Sequence, residues 1–107
     1  MIVRVFLLLL LTPFLVPTVS SAPRLLFSDE FNEDSLDLNS WSYDLGDGCP
    51  NLCGWGNNEW QSYTKKNVTT VNNHLVISAT KQGDAYYSGR ITSKDKFEFT
   101  YGTIEVK

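Results

Sequence analysis

The sequence predicts an all-β fold of the sandwich or jelly-roll type. Apolar and polar residues alternate over short segments, turn-forming residues recur about every ten residues, and no segment shows sustained helical periodicity. Many short strands separated by turns are typical of double-sheet β proteins. Because no repeat or low-complexity linker interrupts the chain after residue 21, we expect one small domain or part of one.

The first 21 residues predict a secretory signal peptide. Arg4 supplies the positive region, an apolar run follows, and small residues precede the expected cleavage after Ser21. A membrane anchor is the alternative, but the apolar run is short and is broken by Pro13 and Pro17. We therefore expect a secreted, extracellular protein whose mature domain begins at residue 22.

The charge balance limits the classes of partner. Nine Lys and Arg residues stand against 12 Asp and Glu residues, which gives a net charge of −3. Nucleic acids and anionic membranes bind proteins through basic patches. We therefore expect neither nucleic acid nor membrane as a partner, and we expect a monomer.

The strands are predicted in order along the chain. Short strands are expected at residues 25–27 and 41–44, followed by a hairpin of residues 68–71 and 74–80. Asn72 and Asn73 form its turn, since asparagine tolerates positive φ. Alternating side chains in residues 74–80 indicate a half-buried strand.

A second hairpin is predicted at the carboxyl end of the chain. Residues 87–93 and 97–107 are its strands, and the polar residues 94–96 are its turn. The apolar face of the last strand changes parity near Gly102, which predicts a bulge or a sharp bend there. Because this strand pattern continues to Lys107 without a turn or cap, we expect the chain to be an incomplete protein.

The run GWGNNEWQSYT at residues 54–64 is the most distinctive segment. Its glycines allow close approach of the backbone to a ligand, and its indoles can stack on the C–H face of a pyranose ring. Its amides and its single carboxylate can each meet neighbouring hydroxyls with two hydrogen bonds. This mixture predicts contact with a sugar.

Cys49 and Cys53 lie directly before this run. In a secreted chain a disulfide is the favoured interpretation, with free thiols as the alternative. A zinc site would need two more ligands, and the only histidine, His74, lies far along the chain. Closing so short a loop stabilises the fold little, so the bridge would mainly shape the loop.

Four further residues have both a functional and a structural interpretation. Asn67 begins an N-glycosylation sequon, which would be modified at an exposed turn of a secreted eukaryotic protein. Arg90 is either a solvated or ion-paired side chain of a strand or a planar donor for vicinal hydroxyls. Asp29 and Glu30 fit a strand-end cap best, ahead of calcium ligands and of an acid–base pair.

Glycoside hydrolysis requires two carboxyl groups that face one glycosidic bond. No convincing pair on one strand face exists in this sequence. Glu98 has no acidic partner two positions away, and Glu59 stands alone among amides.

Several motifs, in this order, resemble glycoside hydrolase family 16. They are most similar to its laminarinase-type members, the endo-β-1,3-glucanases, and to the related β-glucan recognition proteins. The matching segments cover nearly all of residues 22–107 and are LFSDEF at 26–31, Trp41, the run at 54–64, HLVISA at 74–79, SGRI at 88–91 and YGTIEV at 101–106.

The resemblance implies a concanavalin-like β-jelly-roll sandwich, of which this chain is the N-terminal part, and a retaining hydrolase of β-1,3- or β-1,3-1,4-glucans. The family's two catalytic glutamates lie in a Glu-x-Asp-x-x-Glu motif downstream of the segment at 101–106, so this chain contains no catalytic residue and alone is expected to be inactive. A non-catalytic β-glucan recognition protein and a sandwich-type adhesion domain are the alternatives.

The resemblance also implies roles for particular residues. The polysaccharide would contact a cleft formed by Trp55, Asn57, Asn58, Glu59 and Arg90. No cofactor is required, although Glu30 would lie near the structural calcium that some members carry. Trp60 departs from the family pattern, in which an aliphatic residue is usual.

Overall fold

A computed structural model of the chain describes residues 2–7 and 22–107. Within these residues it contains ten β-strands, two short 3-10 helices and no α-helix, which confirms the predicted all-β class. The strands are β1 Val3–Leu7, β2 Arg24–Asp29, β3 Ser42–Tyr43, β4 Gln61–Tyr63, β5 Val68–Val71, β6 His74–Ile77, β7 Thr80–Gln82, β8 Ala85–Ser88, β9 Ile91–Thr92 and β10 Thr103–Val106. The 3-10 helices are Cys53–Gly56 and Lys65–Asn67.

The strands form four small sheets. One has the order β10-β1-β2, another has the order β4-β8-β7, and β3-β9 and β5-β6 are two-stranded. All pairs are antiparallel except β4 with β8, which run parallel. In the part of the chain described, no helix is long and apolar enough to span a membrane.

Strand β1 lies inside the segment that the sequence assigns to a signal peptide. It pairs with β2 and β10, and Val5 is 3% exposed. Arg4 donates from Nε and Nη2 to Oε1 of Glu30, at 3.1 and 3.0 Å. Residues 1 and 8–21 of the predicted signal peptide lie outside the described residues, and its removal stays a prediction.

The central hairpin forms as predicted. Strands β5 and β6 pair from Val68 with Ile77 to Val71 with His74, and the turn residues Asn72 and Asn73 have φ values of 50° and 59°. The predicted strand at 74–80 is divided, however, because the chain changes partner from β5 to β8 between Ile77 and Thr80.

The prediction of a second hairpin at residues 87–107 is wrong, because the strands in this region do not pair with each other. Strand β8 pairs with β4 and β7, β9 pairs with β3, and β10 pairs with β1. The turn itself forms, with the N–H groups of Lys96 and Phe97 donating to the Ser93 carbonyl. Phe97 then stacks on Phe27 at 4.8 Å, which draws the chain towards β2. The bend expected near Gly102 is present at residues 100–101.

A small apolar cluster joins the first strands to the central hairpin. Phe31, Leu36 and Val68 are buried and form its centre. Asp29 fixes the end of β2 beside this cluster, since its carboxylate accepts from the Phe31 N–H at 2.8 Å and from Trp41 Nε1 at 2.6 Å. Asp29 therefore has the strand-end role that the sequence favours.

The turn before β3 is held by Asp37. Its carboxylate accepts from the Ser40 hydroxyl at 2.6 Å and from the Asn39 N–H at 2.9 Å, and these two bonds, the first above all, lower the pKa of Asp37. Lys96 Nζ donates to the Trp41 carbonyl at 2.7 Å on the other side of the turn. These contacts fix the direction in which the chain enters β3.

The prediction that Asn67 lies at an exposed turn is wrong. Asn67 is 6% exposed, and its Nδ2 donates to the Ser78 carbonyl at 2.9 Å and to Thr80 Oγ1 at 3.2 Å. Its Oδ1 accepts from the Thr64 hydroxyl at 2.7 Å. A glycan on Nδ2 would replace one of these two N–H donors and would have to leave a position that is almost fully buried, so the fold opposes modification at this residue.

We therefore expect Asn67 to be unmodified in folded protein secreted by eukaryotic cells. Mass spectrometry of peptides after enzymatic deglycosylation should find asparagine, not aspartate, at this position. As a control, His74→Thr creates a sequon at Asn72, which is exposed at the hairpin turn, and this site should be modified. A fully occupied Asn67 in natively folded protein would contradict the structure.

A second prediction concerns Gly89, which lies between β8 and β9. A Cβ atom there would lie 2.3 Å from Val68 Cγ2 and 2.8 Å from the Asn67 carbonyl oxygen. Gly89→Ala should therefore lower the free energy of unfolding of the full-length protein by about 1–3 kcal/mol. Gly83→Asn is the matched control, because its Cβ would meet open space and asparagine tolerates the local φ of 59°. Equal unfolding midpoints in denaturant for the two variants would disprove close packing at Gly89.

Candidate functional site

The loop before β4 places Trp55 on the surface of the sheet. Cys49 and Cys53 form a disulfide with Cα atoms 4.2 Å apart, and the 3-10 helix begins at Cys53. Glycine is required at Gly48, where φ is 84° and a Cβ atom would lie 2.1 Å from the Leu52 carbonyl oxygen. The Trp55 indole Nε1 donates to the Gly46 carbonyl at 3.2 Å, which ties the ring to the start of the loop.

Arg90 lies over this indole ring. Its Cζ is 4.4 Å from the Trp55 ring centroid and 5.7 Å from that of Tyr63. Its Nε lies 3.0 Å from Asp44 Oδ2, and the Asp44 N–H donates to the Arg90 carbonyl at 3.1 Å. The Arg90 side chain remains 41% exposed, and its two Nη groups carry four further N–H donors. Arg90 is therefore an ion-paired side chain that keeps exposed donors, and its role as a donor for vicinal hydroxyls stays a prediction.

Glu59 is joined to Tyr63 by a hydrogen-bonded triad. Its Oε2 accepts from the Tyr63 hydroxyl at 2.7 Å and from Gln61 Nε2 at 3.0 Å, and Gln61 Nε2 also lies 2.9 Å from the Tyr63 oxygen. These three residues are two positions apart, so they share one face of β4 and its approach. The Tyr63 ring lies 5.8 Å from the Trp55 ring, which connects this triad to Arg90.

The structure brings together three of the five residues predicted to bind a ligand. Trp55, Glu59 and Arg90 gather around Tyr63, as described above. Asn57 and Asn58 are exposed at the end of the loop, where Asn58 has a φ of 54° and lines a neighbouring groove. Their place as ligand-binding residues stays a prediction.

Three residues of the site are not among the five that were predicted to bind a ligand. Gln61 and Tyr63 carry a usable signal, since they follow Glu59 at the two-residue spacing of a strand face. Asp44 carries none. It reaches Arg90 only because β3 pairs with β9, a contact between segments that lie far apart in the sequence.

A groove lies beside this cluster, along β4, β8 and β7. Its volume is about 750 Å³, and Gln61 and Tyr63 line it together with two more aromatic residues, Trp60 and Tyr86. The Trp60 side chain is 84% exposed. The site therefore continues from the Trp55–Arg90 stack into an open surface.

Glu30 is paired with Arg4 in this arrangement. Both bonds from Arg4 go to Glu30 Oε1, which places a positive charge beside this carboxylate. Among the described residues, no group of three Asp, Glu, His or Cys side chains could hold a metal ion. Calcium binding near Glu30 stays a prediction.

The triad around Glu59 leads to a stability prediction. Tyr63→Phe removes one of the two donors to the Glu59 carboxylate, and we expect it to lower the free energy of unfolding of the full-length protein by about 1 kcal/mol. Tyr101→Phe is the matched control. Tyr101 is 75% exposed, so the loss of its hydroxyl should leave the free energy of unfolding nearly unchanged. If both variants unfold at the same denaturant concentration, the bond from Tyr63 contributes nothing.

Comparisons with known proteins identify relatives of this chain. No protein-family model matches it. It is 34% identical over 99 residues to glucan endo-1,3-beta-glucosidase A1 of Niallia circulans and 39% identical over 88 residues to the clotting factor G alpha subunit of Tachypleus tridentatus. Each match covers 78% of this chain but only 14% and 12% of the relatives.

The fold is similar to that of a laminarinase from Flavobacterium sp. UMI-01. The TM-score is 0.69 and the sequence identity is 52%, over 74% of this chain and 34% of the laminarinase chain. This likeness confirms the predicted fold, an incomplete β-jelly-roll sandwich. The chain is therefore homologous to the laminarinases over about three quarters of its length, which confirms its resemblance to the laminarinase-type members of glycoside hydrolase family 16.

Proposed function

We propose that this chain forms one wall of the substrate cleft of a secreted endo-β-1,3-glucanase. In this proposal the Trp55–Arg90 stack and the Glu59 triad bind the β-glucan chain. The retaining hydrolysis itself is carried out by two glutamates that lie outside residues 1–107. The chain spans about a third or less of the relatives and solved structures it matches, so the activity belongs to the full-length protein.

The observation that carries the proposal is the position of the Arg90 guanidinium. Its Cζ lies over the Trp55 indole and its Nε is paired with Asp44, while its two Nη groups carry four further N–H donors on a side chain that is 41% exposed. Such a planar group can donate two parallel hydrogen bonds to vicinal sugar hydroxyls, and the nearby Tyr63 ring offers an apolar face. A neutral polysaccharide also suits the net charge of −3.

The carboxylates of the site support binding and not catalysis. Asp44 is paired with Arg90, and Glu59 accepts from both Tyr63 and Gln61. A nucleophile or general acid must instead face the scissile bond. In this proposal Asp44 holds Arg90 in place, and Glu59 contributes to binding as part of its triad.

The second candidate is a non-catalytic β-glucan recognition protein. One relative of similar identity is named as a clotting factor subunit and not as a glucanase, which favours keeping this alternative. The two functions share the binding site proposed here. They differ in whether the continuation of the reading frame contains both glutamates of the Glu-x-Asp-x-x-Glu motif.

The proposal predicts that Arg90→Ala in the full-length protein weakens laminarin binding by about tenfold to a hundredfold, because hydrogen bonds from a charged donor are lost. Isothermal titration calorimetry measures the affinity, and a reducing-sugar assay measures hydrolysis. Lys94→Ala is the matched control, since it removes an exposed cation from the turn after β9 and should leave the affinity unchanged.

Unchanged affinity in Arg90→Ala would contradict the binding site. Full-length protein that binds laminarin but releases no reducing ends would favour the recognition protein over the enzyme. A full-length protein without any affinity for laminarin would overturn both functions and leave the adhesion domain.

A further inference from the structure

The exposed Trp60 lines the groove beside the site and belongs to neither the Trp55–Arg90 stack nor the Glu59 triad. Its side chain is 84% exposed, the highest value among the large apolar residues of the described chain. Its ring centroid lies 6.4 Å from that of Tyr86, with the two planes tilted by 46°. A single exposed apolar side chain is ordinary, but Tyr86 beside Trp60 is exposed as well, and exposed apolar groups clustered among polar ones can mark a ligand-binding groove.

Strand register connects Tyr86, one member of this aromatic pair, to the Glu59 triad. In the parallel pair β4–β8, Gln61 is the partner of Tyr86, and in the antiparallel pair β7–β8, Lys81 is the partner of Tyr86. Partner residues on adjacent strands lie on the same sheet face. Tyr86 and Lys81 therefore lie on the face that carries Gln61 and Tyr63.

Polar groups are interleaved with the rings along this face. Lys81 Nζ lies 5.2 Å from the Tyr86 ring centroid, and the Asn58 amide lines the same groove. Apolar rings alternating with amide, ammonium and hydroxyl groups match a pyranose, which has an apolar C–H face and a rim of hydroxyls. A protein segment packed against this groove would leave those polar groups in need of partners.

We propose that the groove between Trp60 and Tyr86 is an additional subsite for the same β-glucan chain. It continues the Trp55–Arg90 site across Gln61 and Tyr63, which line the groove and also belong to the Glu59 triad. In this arrangement Trp60 stacks on a sugar unit beyond those held at Arg90. The inference rests on the proposed function, and it assigns a binding role to a residue that departs from the family pattern.

The test compares laminari-oligosaccharides of two lengths on the full-length protein. Trp60→Leu should weaken binding of laminarihexaose about threefold to tenfold, because one aromatic stack is lost, and should leave laminaritriose binding unchanged. Trp60→Tyr should retain most of the hexaose affinity, since it keeps an aromatic face. Tyr101→Leu is the control for an exposed aromatic residue elsewhere and should affect neither ligand.

Four results would overturn the inference. The hexaose affinity could stay unchanged in Trp60→Leu while Arg90→Ala still weakens binding, which would remove the subsite but keep the proposed function. Equal weakening for both oligosaccharides would place Trp60 in the central site. A fall in melting temperature of the ligand-free Trp60→Leu variant would show that another part of the full-length protein covers the indole. Absence of any laminari-oligosaccharide binding would overturn both the subsite and the proposed function.

Discussion

The stack of the Arg90 guanidinium on the Trp55 indole is the contact on which the candidate site depends. An ion pair between partly exposed side chains, such as Arg90 with Asp44, contributes about 0–1 kcal/mol. A cation over an indole at a partly exposed position contributes about 0.5–2 kcal/mol. Neither contact alone would hold a long side chain in one orientation. Together they fix two different sides of the guanidinium, because one acts on its face and the other on its edge.

The fold supplies both partners of Arg90 from separate parts of the chain. Trp55 is presented by a loop that needs a glycine at Gly48 and is closed by the disulfide of Cys49 and Cys53. Asp44 arrives through the pairing of β3 with β9. The disulfide closes a loop too short to stabilise the fold greatly, so its effect is on the path of the chain into Trp55. The loop thus supplies the indole that contacts Arg90, and the pairing of β3 with β9 supplies its carboxylate partner.

Local patterns in the sequence predicted the local parts of the structure. The turn at Asn72 and Asn73 follows from asparagine's tolerance of positive φ, and the hairpin forms around it. The hairpin predicted for residues 87–107 failed because strand patterns do not specify partners. Stacking of Phe97 on Phe27 directs that part of the chain to β2 and β1 instead. Asn67 was placed on the surface by its sequon, although its buried amide accepts a hydrogen bond from Thr64 and donates to Ser78 and Thr80.

Sequence patterns also predicted only part of the site, since Trp55, Glu59 and Arg90 were predicted and Asp44 was not.

The most direct test of the proposed binding site is a crystal structure of the full-length protein with a bound laminari-oligosaccharide. We expect the Arg90 guanidinium to remain stacked on Trp55 and paired with Asp44, and to donate hydrogen bonds to hydroxyls of one sugar unit. An oligosaccharide bound elsewhere, or an Arg90 side chain turned away from Trp55 in the complex, would contradict it.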